Sequence, residues 1–352
     1  MNVLLFCENK YALDILYPIY KEACKTGNKV IWYIHSTKIS DFDWKDEVKW
    51  TSSMQDCYDY NPSVIYVPGN IVPYYLPGVK IQVFHGYAAE KKDHWIIRRY
   101  FDLYLTQGPY FTEHFNRLAL KYGDFEVKET GWTKQDWIKS HIHDFDEERN
   151  FLLKENNCNE IILYAPTFSP KLTSLPTIKS ALKDMINKRK RTLLIIKLHP
   201  LTKVEWVKEY QDFALNNNRI KFIDDNNVTK YQLISDIMIS DTSSTVYEFL
   251  LLNKPVITLK TIAKDIYWTN ITNPQLLSEA IEKALVDKDA IEKRKWIVKN
   301  YDPHLDGECC KRMLNEAKKY IARYGIPKKR KLNLWRRYTS IKTFGKIKKI
   351  KV

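Results

Sequence analysis

Short apolar runs rich in β-branched residues alternate along this chain with longer stretches of helical periodicity. Val3–Cys7 is a continuous apolar run, Tyr11–Lys25 spaces its apolar residues by three and four, and Lys29–His35 is again a short run. That alternation predicts βαβ units feeding a parallel sheet. Further short apolar stretches bounded by Pro, Gly or Asn, at Ser63–Val67, Lys80–Phe84, Asp102–Thr106 and Phe125–Glu129, predict more buried strands. Between Thr133 and Asn159 the pattern dissolves into charged and polar residues, which reads as a helix and a crossing linker. A second series follows, with strands expected at Ile161–Ala165, Leu193–Leu198, Ile220–Ile223, Ile237–Ile239 and Val256–Leu259. Helices are expected at Thr177–Asn187, Val204–Leu215 and Ser244–Leu252, and closing helices at Leu276–Leu285 and Glu308–Tyr324. The predicted fold class is α/β, as two doubly wound domains over 1–140 and 141–326, with no internal repeat.

Length and composition support two packed cores: 352 residues, 44% hydrophobic and 28% charged, with only 10 Gly and 14 Pro. No run of about 18 uncharged apolar residues predicts a membrane span. The opening Met-Asn-Val-Leu-Leu-Phe lacks the basic start and small-residue cleavage site of a signal peptide, so a cytoplasmic location is expected. Six cysteines occur without a Cys-x-x-Cys pair, which suggests neither a zinc cluster nor a disulfide framework.

The formal charge of +15 is uneven. Eleven of the 57 Lys and Arg lie between Pro327 and Val352, where no acid occurs, so 46 bases face all 42 acids in the rest of the chain. The segment 327–352 reads as a basic tail attracted to polyanions, either anionic lipid or nucleic acid. Interleaved aromatic and basic residues on a groove or sheet face, which single-strand binders need, are lacking, so no nucleic-acid partner is expected. Its apolar residues Leu332, Trp335, Tyr338, Ile341, Phe344, Ile347 and Ile350 recur every third position, so on a helix they precess around the axis. Reversible binding dominated by charge is the expectation.

In open α/β sheets ligands lie outside the carboxyl ends of strands, and three motifs fall there. Phe84-His85-Gly86 follows the strand from Lys80; an imidazole there suits proton abstraction from a hydroxyl, and equally a hydrogen-bonded His beside a turn glycine. Lys197-Leu198-His199-Pro200 ends the strand from Leu193, and alternation puts Lys197 and His199 on one side, where both can approach a phosphate. A surface Lys and a capping His would produce the same letters. Ser240-Asp241-Thr242-Ser243-Ser244-Thr245 offers more hydroxyl and carboxyl groups at a helix start than one cap requires, which favours an anion site. Glu248, one turn further on, is placed to accept from ribose hydroxyls or to face solvent. Thr167 and Phe168 follow the strand Ile161–Ala165 as weaker candidates.

Taken in order, Phe84-His85-Gly86, Thr130-Gly131-Trp132, Ile162 to Thr167, Lys197 to Pro200, Ser240 to Ser244 with Tyr247-Glu248-Phe249, Asn253 to Ile257 and Asp306-Gly307 resemble the CDP-glycerol glycerophosphotransferase family. The resemblance covers about Lys80 to Arg312. It implies a GT-B-like pair of Rossmann-like domains with a central cleft, an N-terminal acceptor domain and a C-terminal donor domain. It also implies CDP-glycerol as donor substrate, no metal or other cofactor, and a lipid-linked saccharide or polyol-phosphate acceptor. In such enzymes His85 is the general base, and His199 contacts the donor diphosphate with Ser243 and Ser244. Lys197, Asp241, Thr242 and Thr167 complete the phosphate-binding set, and Glu248 the nucleotide contact. This chain has Tyr87, Thr242 and Glu248 where the family commonly has Thr, Tyr and Asp, differences that bear on the donor's polyol. The alternative is a GT-B glycosyltransferase using a UDP- or CMP-linked sugar, or an epimerase of that fold, in cell-surface polysaccharide synthesis. Because the acceptor would be lipid-linked, the protein is expected to sit peripherally on the inner face of the membrane through its basic tail.

Overall fold

The structure, a computed structural model, describes residues 1–87, 92–225, 227–264 and 266–348. It comprises two compact units, the first built from 1–86, 92–140 and 300–348, the second from 141–299 with Tyr87.

The first unit is organised on seven strands: β1 Asn2–Cys7, β2 Lys29–Ile34, β3 Trp50–Thr51, β4 Val64–Val67, β5 Val79–Val83, β6 Leu103–Thr106 and β7 Glu126–Glu129. They pair in parallel in the order β3-β2-β1-β4-β5-β6-β7. Burial on both faces explains why β1, β4 and β6 read as largely apolar runs, while β5 is buried throughout although it carries Lys80 and Gln82. The order turns between β1 and β4, the switch point where the loops beyond the strands diverge and leave a crevice. Only β3 was unforeseen; two residues long, with Trp50 exposed, it carries no pattern to read.

The predicted second-domain boundary at residue 326 is corrected. The helix Cys309–Tyr324 packs its buried stripe, Cys309, Cys310, Met313, Leu314 and Ala317, on the first unit, and Tyr66 Oη donates to the Met313 carbonyl at 3.2 Å. Periodicity reveals that such a helix has an apolar face but not which sheet receives it.

The segment expected to stand apart as a basic tail belongs, over 327–348, to the same unit. Arg330 grips buried Asp102 through two bonds, Nε to Oδ1 at 2.8 Å and Nη2 to Oδ2 at 2.5 Å, and donates to the Gly78 carbonyl. A helix then runs Leu334–Phe344, capped by the Asn333 side chain, which accepts from the Arg336 N–H. Leu332 and Phe344 enter the core, the Phe344 ring standing edge-on to Phe6 at 5.3 Å. Tyr100 and Tyr75 tie the segment down by donating to the carbonyls of Arg336 and Gly345. Ile350, with the rest of 349–352, lies outside the described residues.

The second unit is a six-stranded parallel sheet: β8 Glu160–Tyr164, β9 Thr192–Lys197, β10 Ile220–Ile223, β11 Ile237–Ser240, β12 Val256–Leu259 and β13 Thr269–Ile271, in the order β10-β9-β8-β11-β12-β13. Its switch point lies between β8 and β11. Helices Leu175–Lys188 and Leu277–Val286 cover the core of Ile162, Tyr164, Leu194, Ile196 and Ile257. Thr133–Asn159, expected as one helix and a linker, forms two helices, Thr133–His141 and Asp146–Glu155. The turn Asn253-Lys254-Pro255 supports the fold. Asn253 adopts φ +57°, and the Lys254 ammonium caps the end of the helix Val228–Ile234 by donating to the carbonyls of Gln232, Leu233 and Ser235.

Candidate active site

In the first unit the site is assembled at the β1/β4 switch point. Strand β5 ends at Val83; alternation then buries Phe84, whose ring lies 4.9 Å from those of His94 and Phe115, and turns His85 outward. The strand end is fixed by its backbone, since Trp132 Nε1 donates to the Phe84 carbonyl and Gln107 Nε2 to the Gly86 carbonyl at 2.9 Å. Gln82 Nε2 reaches the carbonyls of Val67, Pro68 and Gly69, holding the loop that leaves β4.

That loop orients the imidazole. His85 Nδ1 lies 3.1 Å from the Pro68 carbonyl oxygen, which can only accept, so Nδ1 carries the proton and in the neutral ring the lone pair is on Nε2. Tyr11, from the loop after β1, packs its ring 5.3 Å from His85. A neutral imidazole with its lone pair on Nε2 is the tautomer that can accept a proton at that atom.

In the same unit, at the ends of β6 and β7, lies a group that the sequence alone did not point to. Glu129 accepts from Thr112 Oγ1 at 2.8 Å and pairs with His304 Nε2 at 2.9 Å. Burial pushes the Glu129 carboxyl up, but these two partners outweigh it and hold it below its ordinary value. Gly131 (φ +81°) lets this segment approach, because a Cβ there would stand 2.6 Å from His304 Cβ and 2.5 Å from Cys309 Sγ. Arg312 bonds both the Thr130 carbonyl and Asp306, so the motifs at Thr130-Gly131-Trp132 and Asp306-Gly307 form one knot. The two glycine-containing motifs were the available signal; their meeting was not deducible from spacing.

In the second unit the chemistry gathers where β9, β8 and β11 end side by side. His199, just past β9, is exposed, and its Nδ1 accepts the Leu201 N–H at 3.1 Å, so Nε2 carries the proton. Burial of part of the ring, then the neighbouring Lys197 charge, lowers its pKa, which keeps the ring neutral and makes Nε2–H a hydrogen-bond donor. Phe168 packs 4.3 Å from it. Lys197 is buried, its Nζ 3.2 Å from the Leu198 carbonyl; burial lowers its pKa while Asp224 and Asp225 act the other way.

The hydroxyl-rich turn divides into two sets. Ser240 and Asp241 are fully buried, and Ser240 Oγ donates to the Ala165 carbonyl at 2.7 Å. Asp241 Oδ1 accepts the Thr167 N–H at 2.8 Å, and Oδ2 accepts the Ser174 N–H at 2.7 Å and its Oγ at 2.8 Å. Burial raises the Asp241 pKa to about 6 despite these donors. Asp241 therefore holds the loop after β8 and does not face a phosphate, which corrects its expected role. Ser174, its main partner, was not foreseen. Thr242 Oγ1 accepts the Ile262 N–H at 3.1 Å, and Ser243 Oγ pairs with Thr245 Oγ1 at 2.9 Å. Ser244 makes no capping bond to the helix Thr245–Leu251 and, like Thr167, Ser243 and Glu248, is half-buried. The structure thus brings Thr167, Asp241 and Thr242 to Ser244 together at the β8/β11 switch point, with His199 joined to them through Phe168.

A family profile described as CDP-Glycerol:Poly(glycerophosphate) glycerophosphotransferase matches residues 76–268. The chain is 26% identical over 197 residues to the teichoic acid poly(glycerol phosphate) polymerase of Bacillus spizizenii, an overlap of 52% of this chain and 45% of that protein. It thus spans less than half the length of that relative. Among solved structures it resembles an S. aureus MnaA–UDP complex, with 15% identity, 91% of this chain and 97% of that chain covered, and a TM-score of 0.70. It also resembles the wall teichoic acid polymerase TagF, with 17% identity, 91% and 89% covered, and a TM-score of 0.63. At such identities the likeness establishes the fold alone, two parallel-sheet α/β units of the GT-B-like type.

Proposed function

The chain belongs to the CDP-glycerol:poly(glycerophosphate) glycerophosphotransferase family, and on that premise we propose that it moves a glycerol-phosphate or related polyol-phosphate unit from a CDP-activated donor to a hydroxyl group. The acceptor is a lipid-linked saccharide or a growing teichoic acid or capsule polymer, and the protein works peripherally at the inner face of the membrane through its basic C-terminal segment. The charge on the leaving CMP can be balanced by helix N–H groups, hydroxyls and cationic side chains, so the proposal invokes no metal or other resident cofactor.

One observation carries this reading: the two motif histidines are held in opposite tautomers, His85 with its lone pair on Nε2 and His199 with its proton there. His85 Nε2 takes the proton of the acceptor hydroxyl as its oxygen attacks the β-phosphorus. The bond from that phosphorus to the bridging oxygen breaks, and CMP leaves with the electron pair. His199 Nε2–H, with the hydroxyls of Ser243 and Ser244, donates to diphosphate oxygens as charge builds on the leaving group. Glu248 accepts from the ribose. Lys197 and Thr167 support the phosphate site from behind, and Asp241 sets its loop.

The same hydroxyl turn and Glu248 would serve a UDP- or CMP-linked sugar. Incubating the protein with CDP-glycerol, CDP-ribitol and UDP-sugars, each with a lipid-linked acceptor, separates the readings. Release of CMP from a CDP-polyol is expected; turnover of a nucleotide sugar with inert CDP-polyols would replace this proposal with a glycosyltransferase.

A further inference from the structure

We infer that the outward face of the helix Leu334–Phe344 is an insertion wedge that seats the first unit in an anionic bilayer surface, apolar contact adding to charge. The inference rests on the proposed lipid-linked acceptor and deepens it by naming the contact. One side of this helix is consumed by the fold, since Ser340 and Phe344 are buried, and the residues leading into it are docked too, with Leu332 buried and Arg330 bonded to Asp102. The precession that argued against a single stripe has a different result once that side is docked, because the remaining large residues fall on the other. Leu334, Trp335 and Tyr338 are 81%, 72% and 56% exposed. Tyr338 lies three residues from Trp335 and four from Leu334, so the three share one patch, and the Trp335 and Tyr338 rings stand 5.8 Å apart.

The surroundings of the patch select its occupant. Lys328, Lys329, Lys331, Arg337, Lys342 and Lys346 are exposed along the same segment, which contains no acid. Trp and Tyr with a Leu, ringed by Lys and Arg, match the head-group boundary, where amphipathic rings and long basic side chains are both accommodated. A second copy of this chain would bring like charges together. Because the helix is bolted to the unit that carries His85, insertion would hold the proposed base at a fixed height above the lipid that bears the acceptor.

The test is flotation of the whole protein with vesicles of phosphatidylcholine alone and of phosphatidylcholine mixed with phosphatidylglycerol, at low and high salt. Two variants are compared, Leu334→Ser/Trp335→Ser/Tyr338→Ser and Lys328→Gln/Lys329→Gln/Lys331→Gln. Wild type should bind the mixed vesicles and retain part of that binding at high salt. The apolar variant should lose binding about tenfold or more even at low salt, and the charge variant should lose the preference for phosphatidylglycerol. CMP release with a water-soluble acceptor should stay unchanged in both, which shows that they fold. If the apolar variant floats like wild type, if wild type ignores the mixed vesicles, or if the patch instead drives self-association in sedimentation or binding to nucleic acid, the inference is overturned. Vesicle binding without CMP release would sink the transferase reading and leave this one standing.

Discussion

Pro68 and His85 meet through a backbone carbonyl and a ring nitrogen 3.1 Å apart, at the point where the first sheet reverses its strand order. A carbonyl oxygen cannot donate, so this one contact decides which nitrogen of His85 is basic, and Gln82 keeps the carbonyl in place. Replacing His85 with Ala should lower turnover by about 10²–10⁴-fold, the usual worth of a positioned base. The rise in melting temperature on adding donor should survive, since His85 is assigned to the acceptor side. Near-normal turnover in His85→Ala would show the base to be misassigned.

His199→Ala should act on the opposite partner. Loss of one hydrogen bond to a charged phosphate weakens donor affinity by roughly 1.5–3 kcal/mol, about 10- to 150-fold, read by titration with CDP. Phe168→Ala should give a smaller loss with the same signature, because it removes only the ring packed against the imidazole.

Asp241 should make stability and donor binding respond to pH in opposite directions. Its folded pKa, raised from 3.8 to about 6 by burial, means the native state binds the proton more readily than the unfolded chain. Stability from this group is fully present below about pH 4 and is lost as pH rises through 6, by about 3 kcal/mol in total. Donor binding should weaken on the same acidification, because a protonated carboxyl accepts poorly from the N–H groups of Thr167 and Ser174. Urea unfolding of wild type against Asp241→Asn between pH 4 and pH 7.5 checks the first half; equal pH slopes would refute it.

Arg330→Met leaves the buried Asp102 carboxylate without its guanidinium, a change that typically costs about 3–5 kcal/mol. The urea midpoint of the first unit should fall accordingly. Removing everything after Ile326 should cost more, since Leu332 and Phe344 leave the core as well, at about 1.5–3 kcal/mol each. A segment that could be cut away with no change in melting would contradict the packing described above.

Gly131→Ala should destabilise by more than about 1 kcal/mol, because φ +81° suits glycine and the new Cβ would press on His304 and Cys309. Because the strain falls beside the Glu129–His304 pair, an accompanying fall in turnover is expected; a thermally unchanged variant would refute the close approach.

The central strands were legible because burial on both faces writes short apolar runs into the chain, as at Val64–Val67, Ile237–Ser240 and Val256–Leu259. β3 and β13 were not, being two and three residues long and partly exposed. Of the site, the positions of His85, His199 and Ser243 at strand ends followed from motif and order. Their tautomers did not, since each depends on a single contact with Pro68 or Leu201 that no spacing encodes. Asp241 illustrates the commonest loss of meaning: an acid beside serines looks like part of a binding loop until its oxygens are found occupied by Thr167 and Ser174. The return of residues 300–348 to the first unit was hidden for a similar reason, because an apolar stripe does not name its partner.

That return reverses the order in which the chain can mature on the ribosome. The second unit is nearly contiguous, 141–299, and can close once Lys299 has emerged, whereas the first must wait with part of its core open until Arg330 and Phe344 arrive. The first unit therefore begins to be synthesised before the second and completes its core after it, leaving part of its apolar surface uncovered for longer.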